Sequence, residues 1–291
     1  MTPAKILLFG EYTVLVGSQA LAIPFTDFSC QLMQQPTGYV ANNGLAPFIT
    51  YLLSQSYDFI DLERLSSDWQ KGLYLKSNIP VQYGVGSSGA VTAEIYRHYA
   101  WTVQKDLTQA KTELSTMEKF MHGNSSGIDP LVCLCQKPLL FSHEGTVQLI
   151  NRPFSTRIDV FLIDSQVKAP TRDYVLRFLT NFKHDSHFNL QIQQLTERVN
   201  SCITTFLNVD PQFIEQVKEL SQLQLQLFPF LFPESIVTHL TWGLKHDLFY
   251  AKLCGSGGGG FFLGFTLNKH AVQQYFNVHQ IPIRWVSLSI P

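Results

Sequence analysis

A chain of 291 residues is long enough for one large domain or two modest ones, each with its own core. Its 21 basic and 22 acidic residues nearly cancel, so no charged surface announces nucleic acid or anionic lipid, and a hydrophobic share of 45% argues against disorder. No apolar run approaches the roughly 20 residues a membrane helix needs, and the stretch from Met1 to Phe9 is too short for a secretion signal. The five cysteines (Cys30, Cys133, Cys135, Cys202, Cys254) are odd in number and scattered, as expected of free thiols in a reducing cytoplasm.

In chain order, residues 5–9 (Lys-Ile-Leu-Leu-Phe) read as a strand broken by Gly10. Residues 12–16 form a strand or short helix, and an apolar run at 20–23 follows a second break at Gly17-Ser18. Lys5 and Glu11 place one charge at each end of the first strand, and taken alone Lys5 is a snorkelling end residue. Between 26 and 78 the pattern is thin: 31–35 finish a strand, Pro36-Thr37-Gly38 turn, and 46–53 form a helix. The apolar 73–75 lead into Pro80-Val81-Gln82-Tyr83-Gly84-Val85-Gly86-Ser87-Ser88-Gly89-Ala90, with a helix expected over 90–103. Small residues there let backbone approach a ligand closely, and N–H groups of a first helical turn point outward as an anion site. The same residues also suit an ordinary tight turn.

A further helix is expected over 107–121, with Leu114, Met117, Phe120 and Met121 on its apolar side. It ends in a dense cluster from Glu118 to Pro130, where Asp129-Pro130 suits an N-cap followed by proline at the first helical position. By themselves Asp129 is then a cap and Glu118 a solvated helix residue. The small-residue loop between them, His122-Gly123-Asn124-Ser125-Ser126-Gly127, can however fold both carboxylates towards one point. Beyond it, hairpin strands are expected at 139–141 and 147–150, a buried strand at 159–164, and helices over 171–182, 188–206, 210–220 and 233–244. Leu223, Leu225 and Leu227 alternate as a strand would, which leaves the glutamine-rich 221–228 ambiguous. Last comes Gly255-Ser256-Gly257-Gly258-Gly259-Gly260, between two strand-like apolar runs. Only about 30 residues follow it, too few for a second domain beyond a linker, so this backbone is expected to run close to something else.

Residues 5–22, 80–90 and 252–260 resemble, in that order, the three motifs of the GHMP kinase superfamily (galactokinase, homoserine kinase, mevalonate kinase, phosphomevalonate kinase). The Glu118…Asp129 cluster and residues 164–171 are most similar to mevalonate kinases. The resemblance implies an α+β fold in two domains. Residues 1–155 would form a nucleotide-binding domain like domain 2 of ribosomal protein S5, and 156–291 a ferredoxin-like domain, with nucleotide and substrate meeting in the cleft. It implies ATP and Mg2+ as cofactors. Gly84, Val85, Gly86, Ser87, Ser88, Gly89 and Ala90 would surround the ATP phosphates, and Ser88 and Glu118 would hold Mg2+. Asp129 would receive the proton of the substrate hydroxyl, with Lys5 beside it, and Glu11, Tyr12, Thr171, Gly255 and Ser256 would lie on the substrate side. Phosphoryl transfer asks mainly for positioning and charge neutralisation. An aspartate is a weak base for an alcohol, so a nearby lysine and metal-bound phosphate would help by stabilising the alkoxide as it forms.

The reaction so implied is ATP-dependent phosphorylation of a small-molecule hydroxyl, with mevalonate to 5-phosphomevalonate in isoprenoid precursor synthesis as the leading form. A phosphomevalonate kinase or another small-alcohol kinase is the alternative, and a catalytically silent sensor of the same fold is the third reading. Some positions depart from the family's habit: Gln82 stands where glycine is usual, Gly89 where alanine is usual, and Cys254 and Ser256 where threonine and alanine are commoner. Tyr12 stands where mevalonate kinases often have histidine, and Glu-Tyr is more reminiscent of phosphomevalonate kinases. The expected partner is a small molecule, without nucleic acid or membrane, and a homodimer is left open.

Overall fold

The computed structural model describes residues 1–35, 44–103, 106–123, 125–154, 157–168 and 174–288. The chain runs β1 (Thr2–Phe9), β2 (Ala20–Gln34), α1 (Ala46–Leu53), α2 (Leu62–Gln70), β3 (Leu73–Ser77), α3 (Ser87–Tyr99), α4 (Leu107–His122), α5 (Ile128–Cys135), β4 (Leu139–Phe141), β5 (Val147–Leu149) and β6 (Asp159–Asp164). It continues through α6 (Tyr174–His184), α7 (Ser186–Leu207), α8 (Phe213–Leu227), α9 (Glu234–Lys245), β7 (Tyr250–Leu253), β8 (Phe261–Thr266), α10 (Lys269–Val278) and β9 (Ile283–Val286). Two compact units divide it: Met1–Lys5, Ile23–Pro80 and Gly86–Lys137 form the first, and Ile6–Ala22, Val81–Val85 and Pro138–Pro291 the second.

In the first unit the second half of β2 pairs antiparallel with β3, from Cys30 opposite Ser77 to Gln34 opposite Leu73. Helix α3 packs on both α4 and α5, and the core between them holds Ile95, Leu114, Met117, Leu131 and Val132. Helix α2, which the periodicity does not announce, buries only Leu65 of its own residues. Its start is set by Asp61, whose side chain accepts the Arg64 N–H at 2.9 Å. Glu94 is buried within α3 and satisfied from three sides: the Leu32 N–H at 3.0 Å, the Thr2 hydroxyl and the Arg97 guanidinium. These hydrogen bonds hold the carboxyl below its usual range against the opposing effect of burial, the largest single influence on it.

In the second unit the first residues of β2 pair with β4, and β4 with β5. A separate antiparallel sheet has the order β7-β8-β6-β9. Numbered within itself and read from the other edge, that order is 4-1-3-2, the ferredoxin-like arrangement. Its core is aromatic: Phe9 stacks on Phe265 with centroids 5.6 Å apart, and Phe206 and Phe213 meet it edge-on. The glutamine-rich stretch resolves as the end of α8. The face that this helix buries there carries Ser221 and Gln224, so its helical repeat is hidden from a hydrophobic pattern. Gln224 earns its burial by accepting the Leu253 N–H at 2.9 Å, which docks the helix on β7. All five cysteines are free thiols, and no helix among the described residues is long and apolar enough to cross a membrane.

Candidate active site

Strand β1 carries a single charged residue, and it is not at the surface. Lys5 is 2% exposed, and its Nζ lies 2.9 Å from Oδ1 of Asp129, so the ammonium is buried with a partner rather than snorkelling. Space for its stem comes from Gly86, at φ 73°, where a Cβ would stand 2.8 Å from both Cγ and Cε of Lys5. Asp129 is not the N-cap of α5. Gly127 takes that place at φ 70°, the helix begins at Ile128, and Asp129 falls in its first turn with its carboxylate turned to Lys5. The proline after it is accepted there because N–H groups of a first turn need no helical acceptor.

Helix α3 likewise starts earlier than its apolar run. It begins at Ser87, so Ser88 lies in the first turn and the outward-facing end of the helix is at the serine pair. Two residues on, Gly89 lets α3 and α5 touch: a Cβ there would come within 2.9 Å of the Asp129 Cβ and carbonyl carbon and of the Pro130 nitrogen. The departure from alanine at this position therefore has a steric cause in this chain.

Glu118, near the end of α4, is 3% exposed and is not a solvated helix residue. Ser88 Oγ donates to its Oε1 at 3.0 Å, and Ser125 Oγ donates to its Oε2. Burial, and next the negative charge of Asp129, push its carboxyl up to about 7, against the opposing pull of Ser125, Ser88 and Lys5. The loop between α4 and α5 is tied in place to do this. Ser115 Oγ donates to the Ser125 carbonyl at 2.7 Å, and the Gly127 N–H donates to Ser125 Oγ at 3.0 Å. Lys5, Ser88, Glu118 and Asp129 thus come together within the first unit, as do Gly86, Ser87, Gly89 and Ala90 of the glycine-serine stretch. A carboxylate and hydroxyls are hard oxygen donors of the kind Mg2+ takes, one or two at a time, alongside phosphate and water.

Gly84 and Val85 belong to the second unit, which gathers the remaining motif residues. Glu11 and Lys252 are 3% and 0% exposed and form a buried ion pair, with Lys252 Nζ also donating to the Leu253 carbonyl at 2.6 Å. Tyr12 is 6% exposed, packs against Phe178 and Phe228, and donates its hydroxyl to the Ser256 carbonyl at 2.6 Å. Burial raises its phenol well above the ordinary tyrosine range, so it stays a donor at any working pH. The glycine loop is no linker. Its Gly258 and Gly260 N–H groups donate to Leu231 at 2.7 Å and Val167 at 2.6 Å. A Cβ on Gly84 would collide with the Cys254 carbonyl oxygen, and one on Gly255 would stand 2.7 Å from the Gly84 Cα. Gln82, where glycine is usual, holds φ 66°, the left-handed conformation that glycine adopts most readily. Thr171 lies outside the described residues.

Two side chains that bond to the motif residues, Ser125 to Glu118 and Lys252 to Glu11, are given no role by the sequence reading. Ser125 stands in a run of small polar residues with nothing to single it out, whereas Lys252, a charge between the apolar Ala251 and Leu253 of a strand, carried a signal.

No protein-family profile matches the chain, and no curated protein matches it in sequence. Solved structures do match. Mevalonate kinase of L. major, in complex with R-mevalonate, superimposes with a TM-score of 0.71 at 16% identity, covering 100% of this chain and 96% of that one. Phosphomevalonate kinase of Streptococcus pneumoniae, in complex with phosphomevalonate and AMPPNP, gives 0.70 at 16%, covering 98% of each. Galactokinase of Lactococcus lactis, complexed with galactose, gives 0.66 at 13%, covering 99% of this chain and 92% of that one. The fold is therefore that of the GHMP kinases, with the S5-like and ferredoxin-like parts expected of it. Kinases of three different substrates share it, so the fold alone does not choose among them.

Proposed function

We propose that this chain is an ATP- and Mg2+-dependent kinase of a small-molecule alcohol, with mevalonate as its substrate and 5-phosphomevalonate as its product. The observation that carries this reading is the ion pair of buried Lys5 with the part-exposed Asp129, sharing one cluster with the Ser88–Glu118–Ser125 hydrogen bonds at the start of α3. Each of these residues has an ordinary structural use when alone. Together they combine a carboxylate for a hydroxyl proton, a cation, and a carboxylate–hydroxyl pair with oxygens for a metal.

In this reading the backbone from Gly84 to Ala90 and the first turn of α3 receive the ATP phosphates. Ser88 and Glu118 hold Mg2+, which when bound offsets the negative charge of the phosphates. Asp129 accepts the proton of the alcohol at its carboxylate. Lys5, whose Nζ lies 2.9 Å from that carboxylate, steadies the oxygen as it loses the proton. Because Lys5 is buried and its stem fills the space a Cβ on Gly86 would take, its ammonium has little freedom to swing away, which is the preorganisation such catalysis needs.

Mevalonate leads over phosphomevalonate because the Glu118…Asp129 cluster has the mevalonate-kinase form, although Tyr12 after Glu11 is the phosphomevalonate-kinase habit. The test is ADP release with Mg-ATP against mevalonate, phosphomevalonate, galactose and homoserine. Turnover with mevalonate is expected. Turnover confined to another alcohol overturns the substrate, and none with the whole panel leaves the kinase reading unsupported on these four alcohols.

A further inference from the structure

Tyr12 has an unusual backbone. Its φ is 63° and its ψ −48°, and the Thr13 N–H donates to the Glu11 carbonyl at 2.7 Å. A hydrogen bond from residue i+2 back to residue i, with positive φ between them, is a γ-turn of the rare and strained kind. Such a conformation persists only where the surroundings over-determine it, and it tends to mark a place where the geometry is used. Here the surroundings are plain. Phe178 and Phe228 lie with ring centroids 5.2 and 5.6 Å from that of Tyr12.

The turn also sends two adjacent side chains to two points on one segment. Glu11 takes Lys252, on β7, and Tyr12 takes the carbonyl of Ser256, in the glycine loop. Ser256 itself is exposed, so without the phenol its carbonyl would have water as its partner. The loop held in this way lies backbone against backbone on Gly84, as the space denied to a Cβ at Gly84 and at Gly255 shows. The Tyr12 hydroxyl proton is committed to the Ser256 carbonyl, so towards a substrate this oxygen could act only as an acceptor.

We infer that Tyr12 is a positioning residue: with Glu11 it clamps the Gly255–Gly260 loop so that the loop fixes the Gly84 segment for nucleotide. The functional half of this inference rests on the kinase reading above. It differs from what the family resemblance implies for Tyr12, a place on the substrate side, since the phenol acts through the loop and not on the alcohol.

The experiment compares wild type with Tyr12→Phe, which keeps the ring and its packing and removes only the hydroxyl. Amide hydrogen exchange should quicken in peptides covering 255–260 and remain unchanged in those covering α3 and α5. Calorimetric Kd for ATP should rise about fivefold to tenfold, the size expected from one hydrogen bond, while KM for the alcohol stays within about twofold. If Tyr12→Phe does not fold, the same measurements are made on Tyr12→His, which keeps an aromatic ring but falls short of the phenol's reach. Unchanged exchange at 255–260 overturns the inference. So does an effect confined to the alcohol KM, which would make Tyr12 a substrate contact, and so does faster exchange with no change in ATP affinity. A wild-type protein that neither binds ATP nor releases ADP is instead the failure of the kinase reading, and the exchange comparison then still decides for or against the clamp.

Discussion

At the scale of single residues, burial converts ordinary side chains into a chemical set. Asp129→Asn keeps the shape of the side chain beside Lys5 and removes its capacity to accept a proton. Its kcat should fall at least about a hundredfold, the usual worth of a general base, with ATP affinity by calorimetry nearly unchanged. A kcat close to wild type would take Asp129 out of the mechanism. Glu118 gives a pH signature in metal-free protein. Its carboxyl is raised from 4.5 to about 7 in the folded state, so the folded chain keeps a proton that the unfolded chain has lost. The contribution of Glu118 to stability should therefore be greatest below about 4.5, decline as pH rises towards about 7, and level off above it, by about 3 kcal/mol in all. Glu118→Gln, neutral throughout, should melt higher than wild type at pH 8 in EDTA and lose that advantage at pH 4. Equal melting at both pH values would mean that Glu118 ionises freely. Much of this was hidden from the sequence. Lys5, Glu118 and Asp129 could be picked out by their motifs, yet the burial of Lys5 and Glu118 and the pairing of Lys5 with Asp129 depend on neighbours far along the chain.

At the scale of elements, the decisive feature is how closely α3 and α5 approach. Helix pairs usually keep their backbones apart by side chains, and here Gly89 removes one at the point of contact. Gly89→Ala must push Asp129 and Pro130 away by a few tenths of an ångström or more. Overpacking of this sort costs about 1–3 kcal/mol. We expect a Tm lower by several degrees together with a lower kcat, because the atoms displaced include the Asp129 Cβ. Unchanged values of both would show that the helices separate without consequence for the site. The helices themselves were legible where one face is apolar. Residues 46–53 and 107–121 are expected as helices and form α1 and α4 to within a residue. Helix α2 and the end of α8 were not, since the first buries one side chain and the second buries Ser221 and Gln224. The starts of α3 and α5 were displaced for a common reason. Each is set by a glycine in the left-handed region, Gly86 and Gly127, and not by the first apolar residue or a capping side chain.

At the scale of the whole molecule, each compact unit is assembled from separated pieces of chain, so neither its core nor its site could be read from neighbours in sequence. Strands β1 and β2 contribute residues to both units, and the glycine-serine stretch changes unit between Val85 and Gly86. The sequence by itself determined the order of three glycine-bearing motifs, the charged residues that accompany them, and the alternation of helix and strand. These are local matters, set by backbone permissiveness and by the spacing of apolar groups. The tertiary structure alone decided that Lys5 is buried against Asp129, that Glu118 is held by two serines, that Gly89 has no room for a methyl group, and that the Tyr12 hydroxyl is already donated to Ser256. The physical reason is the same in every case. Desolvation, pairing and steric exclusion depend on which distant atoms fill the space around a side chain, and only the folded chain specifies them.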